Sequence, residues 1–96
     1  MENNKIKVKV LISYDVKGQK TAKEYADIYK ELFEVVLDDK AGDFDSSYDK
    51  AVKENMTHSL HFLDDEKLLL SAIGGEMEYT LEITVDDLKK VLAQNA

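Results

Sequence analysis

Residues 77–85 constrain the fold more than any other stretch of this chain. Met77, Tyr79, Leu81, Ile83 and Val85 alternate there with Glu78, Thr80, Glu82 and Thr84. Alternation sustained that long is the pattern of a β-strand with one buried face and one wet face. Thr84 can then cap a helix, with Asp87 three residues on and Leu88, Val91 and Leu92 recurring on one helical face. A strand running straight into a helix obliges the rest of the chain to cover both apolar surfaces.

Upstream, Lys5 to Tyr14 alternates in the same way, with Ile6, Val8, Val10, Ile12 and Tyr14 on one face. Lys5, Lys7 and Lys9 on its other face mirror Glu76, Glu78 and Glu82, which suggests that the first and last strands are neighbours. Thr21 to Glu24 reads as a capping box opening a helix over about 21–38, with Tyr25, Ile28, Tyr29, Leu32, Phe33, Val36 and Leu37 at helical spacing. That helix is expected to cover the buried sheet face, with Tyr14, Tyr25 and Tyr29 as core residues rather than a binding platform.

Residues 43–54 come nearest to a chemical motif. Asp43, Asp45, Ser47, Asp49 and Glu54 fall at oxygen-donor positions of a twelve-residue calcium loop, but Tyr48 stands where glycine is needed and Lys50 where an apolar side chain points inward. A helix over about 47–56 capped by Ser46 or Ser47 explains the same residues better. Residues 57–73 read as a hairpin turning at Asp64 to Lys67. Gly74-Gly75 then forms a two-residue turn into the alternating strand, so three strands make a meander. On a strand, His58 and His61 point to opposite faces and cannot share a metal; His58 is expected to be half-buried and His61 exposed.

These elements predict one small acidic α+β domain over residues 1–96, in the order β-α-α-β-β-β-α. Its sheet is expected to be four-stranded and mostly antiparallel, with helices mainly on one face. The helix–three-strand–helix portion resembles a double-stranded RNA-binding domain in element order only. The basic residues that such a domain needs at its last helix are reduced here to Lys89 and Lys90 beside Asp86 and Asp87, so the resemblance implies no RNA-binding function. Leu69 and Ile73, facing away from Leu68 and Leu70, call for cover from the second helix or from a second copy in a homodimer.

Charge bears on function. The net charge is −7, but residues 1–30 carry seven lysines against four acids, a balance of +3. Residues 31–63 and 64–96 each carry eight acids against three lysines, a balance of −5 apiece. All thirteen basic residues are lysine, and readers of nucleic acid lean on arginine forks, so direct nucleic-acid contact is not expected. No stretch reaches the roughly 20 apolar residues of a membrane span, and no leader is visible ahead of the first strand, so a cytoplasmic protein without membrane contact is expected. Without cysteine there are no disulfides and no thiolate chemistry. No serine sits in a nucleophile elbow, and no glycine-rich phosphate loop precedes a helix, so neither catalysis nor a cofactor is expected.

The leading expectation is therefore a small acidic protein–protein interaction or regulatory module without catalytic activity. Its candidate surface is Asp38, Asp39, Asp43, Asp45, Asp49, Asp64, Asp65 and Glu66, and the expected partner is a protein with a basic surface. One alternative is a phage- or immunity-type inhibitor that mimics nucleic-acid charge and blocks a basic nucleic-acid-binding protein. The other is a small-ligand-binding protein or enzyme subunit.

Overall fold

The computed structural model describes residues 8–39, 42–74 and 78–95. Five strands form one mixed sheet, which corrects the expectation of four mostly antiparallel strands. They are β1 (Lys9–Tyr14), β2 (Glu34–Leu37), β3 (His58–Phe62), β4 (Lys67–Ala72) and β5 (Tyr79–Thr84), in spatial order β2-β1-β3-β4-β5. The helices are α1 (Gln19–Tyr29), α2 (Phe44–Lys53) and α3 (Val85–Asn95), with a 3-10 turn at Val16–Gly18 ahead of α1. The α+β class stands. The meander also stands, since β3, β4 and β5 pair antiparallel in sequence order.

The missing strand is β2. Helical spacing through Leu32, Val36 and Leu37 masks a second period in the same residues, because Phe33, Val35 and Leu37 pack on one side of the sheet and Val36 on the other. The stretch is rich in β-branched residues and pairs in parallel with β1, Val10 opposite Val35 and Ile12 opposite Leu37. The helix ends at Tyr29, well short of the expected residue 38. It also starts earlier than its apparent capping box. Thr21 lies inside α1, buried, and its hydroxyl donates to Asp65 Oδ1 at 2.7 Å.

Two parallel crossovers put helices on both faces. The chain moves from β1 through α1 to β2, then back across β1 through α2 to β3, where Ser13 lies opposite His61. Crossovers of one hand that travel in opposite directions must pass over opposite faces. Accordingly, α1 covers the face of Val10, Ile12 and Tyr14, while Ala51 of α2 packs with Leu11 and Ile73 on the other. This corrects the expectation of helices on one face. It also supplies the cover for Ile73 and removes the need for a second copy there.

The larger core lies between the sheet and the pair α1 and α3. It joins Ile12, Tyr14, Tyr25, Tyr29, Phe62, Leu68 and Leu88, with the Tyr25 and Phe62 ring centroids 5.6 Å apart. The tyrosines are core residues, as expected. Gly18 presses against this core at the carboxyl end of β3, where a Cβ would sit 2.4 Å from the Phe62 carbonyl oxygen. The strand that dominates the sequence proves to be the less covered one, for Tyr79 is 46 % and Leu81 51 % exposed. Thr84 caps α3 as expected, accepting from Asp87 N–H at 3.1 Å.

The first and last strands are not neighbours, because β3 and β4 stand between them. Lys9 instead lies 3.9 Å from Glu34 on the adjacent β2. The expected partners Lys5, Lys7 and Glu76 lie outside the described residues, as do Gly75 and Met77. Gly74 has φ +76°, fitting the turn expected there, but β4 ends at Ala72 and β5 begins at Tyr79, so the connection exceeds two residues. None of the described helices is long and apolar enough to cross a membrane.

Candidate functional site

Three parallel strands end on one edge of the sheet, and most of the candidate acids follow those ends. Asp38 and Asp39 come after β2, Asp43 and Asp45 begin α2, and Asp64, Asp65 and Glu66 come after β3. Asp49 stands apart, further along α2. Five of the eight have a structural task. Asp43 accepts from Ser46 N–H at 2.8 Å, which makes it the cap of α2 in place of the expected serine. Asp64 accepts from Glu66 N–H and Lys67 N–H, closing the β3–β4 turn. These amide bonds hold the Asp43 and Asp64 carboxyls below their ordinary range.

Asp65 takes the Thr21 hydroxyl, Asp38 lies 3.8 Å from Lys50, and Asp49 lies 3.1 Å from Lys53. The Asp39 carbonyl accepts the buried Tyr14 hydroxyl. Of the eight, the side chains of Asp39, Asp45 and Glu66 have no such partner among the described residues. No group of three or more histidine or acidic side chains is gathered to hold a metal ion among them. The calcium-loop alignment is replaced by the capped helix.

Behind this edge lies a polar chain that the sequence did not reveal. His61, expected to be exposed, is 1 % exposed beneath α2. Its Nδ1 is 2.8 Å from Ser13 Oγ and its Nε2 is 2.9 Å from Asp15 Oδ1, while Phe44 meets the ring edge-on at 6.0 Å between centroids. The residue types are those of a nucleophile, a base and an orienting acid. Chemistry does not follow, because Ser13 is itself 1 % exposed and α2 seals it from any substrate. The chain satisfies polar groups between sheet and helix. Sequence could not find it, since it depends on β1 lying beside β3.

The opposite edge carries a cavity. About 240 Å³ opens between α1 and α3 over the starts of β1 and β3. Val10, Leu60 and Leu70 supply sheet side chains; Tyr29, Phe33 and Leu88 come from the helical side; His58 and Tyr79 complete the lining with Val8 and Ile83. Four of these side chains are rings, and none of the lining residues described is charged. His58 and Tyr79 both lie opposite Ala72, in register on either side of it, so a methyl group separates two rings on one sheet face. Burial pushes the Tyr29 phenol up to about 12 and holds the His58 imidazole below its usual value, so both are neutral near pH 7. His58 is half-buried beside Leu60, as expected, but nothing in the residues around it signals that Phe33 and Tyr79 share its pocket.

The comparisons with known proteins bear on the fold. No protein-family model matches the chain, and no curated protein matches it. Its structure is similar to the RNA-binding domain of threonyl-tRNA synthetase from Cryptosporidium parvum Iowa II, with a TM-score of 0.66 and 16 % identity. The likeness covers 92 % of this chain and 23 % of that one, so this chain spans under a quarter of the synthetase chain. A protein of the same fold is thus an RNA-binding domain. This overturns the expectation that nucleic-acid contact could be excluded. That exclusion rested on missing arginine, whereas single-stranded RNA is also held by stacking its bases on aromatic side chains.

Proposed function

We propose that this chain is a non-catalytic domain that binds single-stranded RNA, taking an unstacked base into the pocket of Tyr29, Phe33, His58 and Tyr79. The observation that carries the proposal is this ring-lined pocket in a fold shared with an RNA-binding domain. Sequence-specific RNA binding favours splayed bases stacked on tyrosine, phenylalanine or histidine. Base stacking is worth about 1–3 kcal/mol per base, enough for a weak site without a strongly basic surface. Lys20 and Lys23, exposed on α1 and outside any ion pair among the described residues, are available to phosphates.

Binding of short single-stranded oligoribonucleotides, followed by amide chemical shifts, tests the proposal. Shifts should centre on His58 and Tyr79, and affinity should fall only gently with salt, since each phosphate contact adds about −0.7 to the log–log slope. Absence of binding at millimolar RNA, or shifts confined to the far edge of the sheet, would sink it. A second reading, an acidic protein-interaction module, is favoured by the side chains of Asp39, Asp45 and Glu66, which stand near the carboxyl ends of the parallel strands without structural tasks. Under that reading, changing the three to their amides abolishes the protein's interactions and leaves RNA binding unaltered.

A further inference from the structure

The hydrogen bonds around Thr57 tie His58 to β1 and bear on which of its nitrogens carries the proton. The Thr57 hydroxyl donates its single proton to the Lys9 carbonyl at 2.9 Å and accepts from Lys9 N–H at 2.9 Å. It also lies 2.9 Å from His58 Nδ1. The Lys9 carbonyl also takes Thr57 N–H at 2.9 Å; with the hydroxyl proton on that carbonyl, the hydroxyl can only accept from the imidazole, which places the imidazole proton on Nδ1. A neutral imidazole then leaves Nε2 as a bare acceptor, and Nε2 has no partner among the described residues.

We infer that the pocket selects an uncharged nucleobase that offers an N–H donor to His58 Nε2, as adenine does with its exocyclic amine. This rests on the RNA-binding reading of the same pocket. Three features support it. At about 240 Å³ the cavity lies below the roughly 300–1,000 Å³ of drug-sized ligand sites, so it suits one ring system rather than a whole nucleotide. Its lining offers ring surfaces and no charge, which suits a neutral flat heterocycle and leaves phosphate in solvent. Its polar groups are one imidazole and two phenols, and the imidazole is the one anchored to a neighbour, Thr57 Oγ1, through Nδ1.

Adenosine and purine riboside, which differ only by the exocyclic amine, provide the test. Binding is measured by calorimetry and by the imidazole nitrogen shifts of His58. Adenosine should bind about tenfold more tightly, the effect of one hydrogen bond of about 1.4 kcal/mol. Free His58 should show the shifts of the Nδ1–H form. His58→Phe keeps a ring and removes the acceptor, so it should bring the two nucleosides level. Tyr79→Leu, at an exposed position that the fold does not need, should weaken both alike. Equal affinities in the unaltered protein, or a His58 protonated on Nε2, would overturn the selectivity while RNA binding, measured separately, could persist. An oligoribonucleotide that binds when neither nucleoside does also overturns it. If the oligoribonucleotide does not bind either, both proposals fail.

Discussion

The two faces of the sheet are built differently. Under α1 and α3 lie large apolar side chains, with Tyr14, Tyr25, Phe62, Leu60 and Leu68 almost wholly buried. Under α2 the sheet shows Leu11 among Ser13, Ser59, His61 and Ser71, and the helix answers with Ser47 and Ala51. The first face removes far more apolar area from water, at roughly 25 cal/mol per Å², and so contributes most of the stability. On the second face, small side chains let α2 approach closely, and a buried histidine links β3 to Ser13 and Asp15 while its ring meets Phe44 of α2. Large apolar burial and buried polar linkage are separated onto opposite sides of one sheet.

Substitutions of unequal size can break this contrast. Phe62→Ala should have the largest effect, costing about 3–5 kcal/mol in urea unfolding, because it opens a cavity against Tyr25. Ser13→Ala should cost about 1–3 kcal/mol, leaving His61 Nδ1 buried without its partner. If the serine change proves the costlier, the division between the faces is wrong.

Acid sharpens the comparison further. The folded value of His58 lies below its unfolded value near 6.5, so its contribution is complete above that pH and is lost as pH falls through the lower folded value. Asp43 and Asp64 are also lowered, from 3.8, so their contributions are lost only in stronger acid. The midpoint of urea unfolding should therefore decline in two stages, and His58→Phe should abolish the first alone. Ser59→Ala should have the smallest effect. The Ser59 hydroxyl is buried and has no hydrogen-bond partner among the described residues, so its removal should leave stability within about 1 kcal/mol or raise it.

What sequence made legible follows the range of the interactions. The meander β3-β4-β5 and the Thr84 cap depend on neighbours in the chain, and both were readable. Strand β2 was hidden because one run, Phe33 to Leu37, satisfies a helical and an extended period together, and pairing with β1 decides between them. The burial of His61, the separation of β1 from β5 and the recess between His58 and Tyr79 are all set by strand order. Strand order here comes from two crossovers, which leave no local mark on the residues they bring together. The candidate acids were visible as a charge pattern, but their capping and turn-closing tasks required the positions of backbone amides.

The place of β1 at the centre of the parallel part has a consequence for synthesis. Its contacts with β3 join residues 48 apart, as in the bond between Ser13 and His61. On a ribosome adding about 5–20 residues per second, β1 is made roughly 2–10 s before β3 exists. During that interval its apolar run from Val10 to Ile12 has only α1 and β2 for cover. The emerging chain should therefore hold β1, α1 and β2 as a loose unit that chaperones can grasp, and become resistant to protease only once Phe62 has cleared the exit tunnel. Proteolysis of chains stalled before and after that residue would show the step.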